Sequence, residues 1–355
     1  MAEYRYTAVP RLPATTSNNS TMTTLNFRQQ HFRLKPHETV LDCLLRHGVA
    51  LPYACKAGMC QACLVKAVGC TPTEESGKWI KPALQARGYT LACQWVPVAD
   101  AGVDLPELAD FAVAATIRSL QPLNAQVLQV VLDIAEPRSM FAYRPGQYLT
   151  ATNPPGVARA YSIANDFAVD GTVELHIAGT SHGEFTQWLF NKARTGEALY
   201  LRGPAGSCFY DARDDAGQPL LLAGTGTGLA PLLGIVRDAL RQRHNEAIHL
   251  YHGGRTSAQL YLVEELQDLA QKHSQFHYHP CVIEAGASTT LPLRQGTLEQ
   301  VLTQDMAKAK LAAYRIYLCG APAFVHGLRK KLYLQGARSE HIHCDPFTER
   351  TVVPD

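Results

Sequence analysis

At 355 residues the chain exceeds what one ordinary core organises, and its length implies two to three domains. A composition of 46% hydrophobic and 18% charged residues excludes disorder or collagen-like repetition as a description of the whole. A net charge of +2 excludes partners recognised through bulk charge, so neither nucleic acid nor a membrane surface is expected. The longest basic run, LRKK at Leu328 to Lys331, reads as a solvated helix face. No stretch approaches the roughly 20 apolar residues needed to cross a bilayer.

Residues 1–22 carry acid and proline without an apolar h-region, so they read as a disordered tail rather than a secretory signal, and a cytoplasmic location follows. In that reducing compartment the ten cysteines are metal ligands or free thiols rather than disulfides. TLNFRQQHFRLKPHETV predicts a strand, a turn and a second strand, and ETVLDCLLRHGV predicts a helix. Cys55, Cys60 and Cys63 follow in YACKAGMCQACLVKAVGC, and Cys93 comes after 29 intervening residues in the strand GYTLACQWVPV. This C-x4-C-x2-C…C spacing is that of plant-type [2Fe–2S] sites, whereas zinc knuckles pair two short C-x2-C units and Cys55 stands apart. Two irons bridged by two sulfides need four thiolates, and Gly58 supplies the φ > 0 that a loop around them requires. Zinc and an unrelated thiol group are the alternatives. Cys43 and Cys70 fall outside the spacing and read as packing residues.

With GMCQAC and LACQ, residues 23–105 resemble a plant-type ferredoxin, which implies a β-grasp-like fold. Charge is the departure: basic residues such as Lys56, Lys66 and Lys78 outnumber the acids, whereas free ferredoxins are usually acidic. No acidic docking face is therefore expected.

Next comes ADAGVDLPELAD, small, acidic and without a period, which reads as a linker. Residues 111–212 are short β-rich runs punctuated by turns, the pattern of an antiparallel barrel, with one helix in GEFTQWLFNKA. In RAYS, Arg159 and Tyr161 share one strand face while Ser162 faces the other unless the strand end twists. A guanidinium can pair with a pyrophosphate, an aromatic ring can stack on an isoalloxazine, and a hydroxyl can bond a ring nitrogen. R-x-Y-S alone also fits a plain strand. SHGEFTQWL places Gly183 and Thr186 at a helix start, where unpaired N–H groups attract phosphate. With RPGQY and GPAGSCF, the block resembles the flavin-binding barrel of the ferredoxin–NADP reductase superfamily. That resemblance implies FAD contacts at Arg159, Ala160, Tyr161, Ser162, Gly183 and Thr186. Ala178 departs from it, since many relatives place a basic residue there, and FMN stays open as the alternative.

From 217 to 355 buried strands alternate with helices, which implies a parallel α/β sheet. LLLAGTGTGLAPLLGIV is strand, glycine turn and helix, with Gly224, Thr225, Gly226, Thr227 and Gly228 in the turn. The fingerprint G-x-G-x-x-G fails at Leu229, which disfavours a Rossmann dehydrogenase, yet the turn can still offer N–H groups to a pyrophosphate. Pro231 suits the first turn of the helix. GTGxAP is similar to the reductase superfamily's own turn, and CGxP at Cys319 and Gly320 to its second nucleotide motif. The resemblance implies that the Cys319 thiol lies near the nicotinamide, with a buried structural cysteine as the alternative, and that Phe347 in HCDPF lies beside the flavin. Ser162, Cys319 and Phe347 are its implied hydride-path residues. Arg255 and Ser257 stand where a 2′-phosphate is held and no acid stands beside them, but the domain order favours NADH over NADPH.

Taken together, the order of the three domains resembles the reductase components of bacterial multicomponent oxygenases: aromatic-ring dioxygenases, phenol hydroxylase and soluble methane monooxygenase. It implies a relay from NAD(P)H through FAD and a [2Fe–2S] cluster to a terminal oxygenase or hydroxylase. The rivals are a reductase for a deoxysugar dehydratase and a non-enzymatic redox-responsive or zinc-binding interaction protein.

Overall fold

The computed structural model describes residues 23–80, 82–106, 112–134, 143–284, 292–306 and 309–347. The expected tail and part of the expected linker lie outside the described residues. The first unit comprises β1 (Thr24–Phe27), β2 (Gln30–Arg33), α1 (Val40–Arg46), β3 (Leu64–Val68), α2 (Glu74–Gly77), α3 (Pro82–Gln85), β4 (Tyr89–Leu91) and β5 (Ala101–Asp104). Its sheet runs β2-β1-β5-β3-β4, with β1 and β5 parallel and every other pair antiparallel. Helix α1 starts where the Thr39 hydroxyl accepts the Asp42 N–H, and it buries Val40, Leu41, Cys43 and Leu44 in the core over the sheet. Each of its large aliphatic side chains contributes roughly 1.5–3 kcal/mol by burial.

Strand β5 corrects the linker expectation. Ala101–Asp104 hydrogen-bonds to β1 on one side and β3 on the other, so pairing overrides the weak β-propensity of Ala, Gly and Asp. The cysteine loop crosses irregularly from α1 to β3, and Gly58 takes φ 80° there. A Cβ at Gly58 would lie 2.7 Å from Trp79 Cδ1, so glycine is needed for space as well as conformation.

The second unit holds β6 (Val113–Pro122), β7 (Val127–Ile134), β8 (Tyr148–Thr152), β9 (Ala158–Ser162), α4 (Phe167–Asp170), β10 (Val173–Ala178), α5 (Glu184–Asn191) and β11 (Ala198–Ala205). The order β10-β7-β6-β11-β8-β9 is antiparallel throughout, and an Ile163–Leu175 bridge joins the chain beyond β9 to β10, closing the ring. The alternating buried positions of β7 face its apolar interior.

After α6 (Ala212–Asp215), the third unit contains β12 (Leu220–Thr225), α7 (Leu229–Arg241), β13 (Ile248–Thr256), α8 (Val263–Lys272), β14 (Phe276–Glu284), β15 (Arg294–Gln295), α9 (Leu298–Asp305), β16 (Arg315–Gly320), α10 (Pro322–Leu334) and β17 (Ile342–Pro346). All six strands are parallel in the order β15-β14-β13-β12-β16-β17. Separate apolar cores cover the two faces, Leu220 and Leu222 pointing into one and Leu221 and Ala223 into the other. Helix α7 sits tightly on the barrel: a Cβ at Gly234 would lie 3.1 Å from the Ile163 carbonyl oxygen. Among the described residues no helix is long and apolar enough to cross a membrane.

Candidate functional site

The four cysteines of the spacing converge in two pairs. The Cys55 N–H donates to Cys60 Sγ at 3.4 Å, and the Cys60 N–H returns to Cys55 Sγ at 3.3 Å. The Cys60 thiol and the backbone N–H groups of Cys60, Ala57 and Met59 pull the Cys55 thiol down to about 5, while the thiol–thiol hydrogen bonds and burial push Cys60 and Cys63 up. Cys63 and Cys93 form the second pair by a thiol–thiol hydrogen bond, and Gln94 Nε2 donates to Cys93 Sγ at 3.4 Å. Two pairs of thiols suit two irons with two thiolates each. An all-cysteine donor set arranged as two pairs fits a dinuclear iron–sulfur cluster. Cys43 lies in the α1 core and Cys70 bonds Gly102, both away from the loop.

The loop forms one wall of an 860 Å³ cavity, a size typical of sites for small molecules and cofactors (about 300–1,000 Å³). Ala54, Cys55, Met59 and Cys60 come from the loop, Arg159 to Ser162 from β9, Gly183 to Thr186 from the start of α5, and Thr227, Ala230 and Asp345 to Phe347 from the third unit. The strand end brings Arg159, Ala160, Tyr161 and Ser162 to the same cavity, so strict alternation fails there. Arg159 Nη1 donates to the Ala158 carbonyl at 2.7 Å, and no carboxylate pairs with this guanidinium among the described residues. Gly183 is the N-cap of α5 and no side chain caps the helix; the Thr186 hydroxyl instead donates to the Gly183 carbonyl at 3.0 Å. A Cβ at Gly183 would lie 2.2 Å from Thr180 Oγ1, which makes this a cradle only glycine leaves open. A guanidinium without a carboxylate partner and an uncapped helix start on the wall of one cavity suit a pyrophosphate, and the Tyr161 ring, 5.3 Å from Phe185, offers the wall a flat aromatic ring system needs. These residues fit a flavin dinucleotide. Ala178 lines the cavity without a charge, with His176 and His182 also on the wall.

Ser162 Oγ donates to Asp345 Oδ2 at 2.8 Å. Burial raises the Asp345 carboxyl to about 6, the serine hydrogen bond opposing it. Asp345 sits at the end of β17, where Phe347 follows and donates its N–H to the Gly320 carbonyl at 2.8 Å. Sequence reasoning missed Asp345 because β17 is a short strand. Its signal was its place two residues before Phe347.

Beyond β12, Gly226 to Gly228 form a single 3-10 turn leading into α7, with Gly226 at φ 55°. Of the turn, Thr227 reaches the cavity, while Gly224, Thr225, Gly226 and Gly228 carry the chain from β12 into α7 beside the end of β16. A Cβ at Gly228 would lie 2.3 Å from the Cys319 carbonyl oxygen, and one at Gly320 2.8 Å from Thr225 Oγ1, so the two nucleotide motifs interlock backbone to backbone. The Cys319 thiol is fully buried in the core of the third unit, 3.6 Å from Cys208 Sγ, and does not line the cavity. Arg255 lies at the end of β13 and pairs with Glu284 of β14 at 2.9 Å, which supplies from the next strand the acid that the sequence around Arg255 lacks.

Fold and site define an iron–sulfur flavoprotein reductase. Family models match a 2Fe-2S iron-sulfur cluster binding domain at residues 23–98, an oxidoreductase FAD-binding domain at 114–210 and an oxidoreductase NAD-binding domain at 222–330. The chain is 31% identical to the ferredoxin–NAD(P)+ reductase component of the naphthalene 1,2-dioxygenase system of Pseudomonas putida, over 87% of this chain and 93% of that protein. It is 31% identical to the reductase subunit of an aromatic O-demethylase from an Amycolatopsis species, over 88% and 95%. Among solved structures it is similar to the Amycolatopsis cytochrome P450 reductase GcoB, with a TM-score of 0.65 and 29% identity over 92% of this chain and 98% of that one. The chain belongs to the family of three-domain ferredoxin–NAD(P)+ reductases with a [2Fe–2S] domain ahead of the flavin and nucleotide domains. It is thus an oxidoreductase that uses NAD(P)H, FAD and a [2Fe–2S] cluster.

Proposed function

We propose that this chain is the reductase component of a cytoplasmic oxygenase or hydroxylase system, prefers NADH, and passes electrons through its cluster to the oxygenase or to a carrier that serves it. The observation that carries this reading is the shared cavity: one wall comes from the cluster loop at Cys55 and Cys60, one from the flavin barrel at Tyr161 and Ser162, and one from the nucleotide domain at Thr227 and Phe347. Bound here, FAD would supply two-electron acceptance from a nicotinamide and the [2Fe–2S] cluster one-electron carriage.

The chain's own residues bind, orient and shield. Arg159 and the uncapped start of α5 hold the pyrophosphate of FAD, and Tyr161 packs against its ring system. Ser162 and Asp345 keep a dissociable proton at the cavity wall. Phe347, fixed by its bond to Gly320, gives the cavity an apolar wall from the third unit. The interlocked glycine motifs bring the backbone of the turn and of the end of β16 into close contact, where a nicotinamide dinucleotide would meet main chain and not bulky side chains. The preference for NADH rests on Arg255, whose guanidinium already holds Glu284. Anaerobic titration of the holoprotein with NADH and NADPH in parallel tests the reading: NADH bleaches flavin and cluster in turn, and the idea fails if neither nucleotide bleaches an intact holoprotein.

A further inference from the structure

Three successive carbonyls of the cluster loop accept hydrogen bonds from barrel side chains. Tyr148 donates to the Met59 carbonyl, Thr150 Oγ1 to the Cys60 carbonyl at 2.8 Å, and Arg202 Nη2 to the Gln61 carbonyl. Thr150 and Arg202 are directly opposed on the neighbouring strands β8 and β11, so they reach the loop side by side. Neither lines the cavity and neither belongs to a cofactor motif. We propose that Thr150 and Arg202 are positioning residues that hold the cluster loop against the flavin barrel, and that this clamp sets the rate of electron passage from flavin to cluster.

The physical basis is the rigidity of the peptide plane. The unit whose carbonyl belongs to Gln61 carries the Ala62 N–H that bonds the Cys60 sulfur, so anchoring the oxygen through Arg202 on one side aims the donor on the other. The loop also turns through positive φ at two non-glycine residues, Lys56 at 50° and Gln61 at 53°. Such a conformation persists only where its surroundings hold it. The Arg202 guanidinium adds a positive charge that interacts with Cys60 and Cys63, and charge of that sign favours the more negative, reduced cluster. The proposal rests on the relay described above, and its test separates the two.

Full-length holoprotein carrying Thr150→Val, Arg202→Leu or Arg202→Lys is mixed with NADH in a stopped-flow instrument, and flavin and cluster bleaching are followed separately. Cluster potential is measured by redox titration with electron paramagnetic resonance. Flavin bleaching is expected to keep its parental rate in all three. Cluster bleaching slows by roughly tenfold in Arg202→Leu, the factor expected for one charge-assisted hydrogen bond, and less in Thr150→Val. The cluster potential falls in Arg202→Leu and returns in Arg202→Lys. Parental cluster bleaching in Thr150→Val and Arg202→Leu at full cofactor content overturns the clamp. If Arg202→Leu loses its cluster on purification, Thr150→Val and Arg202→Lys decide by the same traces. Failure of the parent's own flavin to bleach overturns the relay instead.

Discussion

The proton shared by Ser162 and Asp345 is the acid–base element the proposed flavin edge meets, and its sign is set by burial. With the carboxyl raised to about 6, Asp345 is protonated below that pH and can donate to Ser162, which leaves the serine hydroxyl to donate into the cavity. Above it the carboxylate accepts the serine proton and that donor is lost. Flavin reduction by NADH is therefore expected to slow as pH rises through about 6, and Asp345→Asn, which keeps an N–H donor at every pH, is expected to flatten the profile in single-turnover measurements. Glu284 supports a second residue-scale test. Its pair with Arg255 is exposed and worth only about 0–1 kcal/mol, so Glu284→Ala frees the guanidinium and lowers KM for NADPH several-fold, with little change in stability. An unchanged NADPH-to-NADH ratio in that variant counts against Arg255 as the discriminating group.

Among the elements, the glycine turn after β12 is the least tolerant. At Gly228 a methyl group would overlap the Cys319 carbonyl, and backbone on both sides leaves little room to yield. Gly228→Ala is expected to cost about 1–3 kcal/mol and to weaken NADH binding, read by thermal unfolding and by KM in parallel. This turn was legible in the sequence because its three glycines fall within five residues, and short spacing likewise revealed the cysteines of the loop and the strand carrying Arg159, Tyr161 and Ser162. What stayed illegible was held together across long separations: Ser162 and Asp345 lie 183 residues apart, Arg202 and Gln61 141, and Thr150 and Cys60 90. No local pattern marks such partners. Strand β5 was hidden for a related reason, since Ala101–Asp104 becomes a strand through its two neighbours and not through its own composition. At Cys319 the motif marked the strand end, while the neighbour its thiol meets, Cys208, lies 111 residues away.

Across the whole molecule the two halves of the relay are separable. Replacing Cys93 by serine removes one sulfur from the second thiol pair and leaves the barrel cavity and glycine turn intact. Cys93→Ser is expected to keep NADH-driven reduction of ferricyanide, a small acceptor that can take electrons from the flavin, and to lose most reduction of a one-electron protein acceptor. Equal loss of both activities would place the cluster upstream of the flavin. The 860 Å³ cavity bears on mechanics as well as chemistry, because its lining comes from three units, each with a core of its own. A dinucleotide seated there is a staple across three bodies, and its binding energy becomes cohesion among them. Calorimetry should resolve separate melting steps for flavin-stripped protein and a merged, later one for holoprotein, so that losing FAD loosens the molecule into its parts.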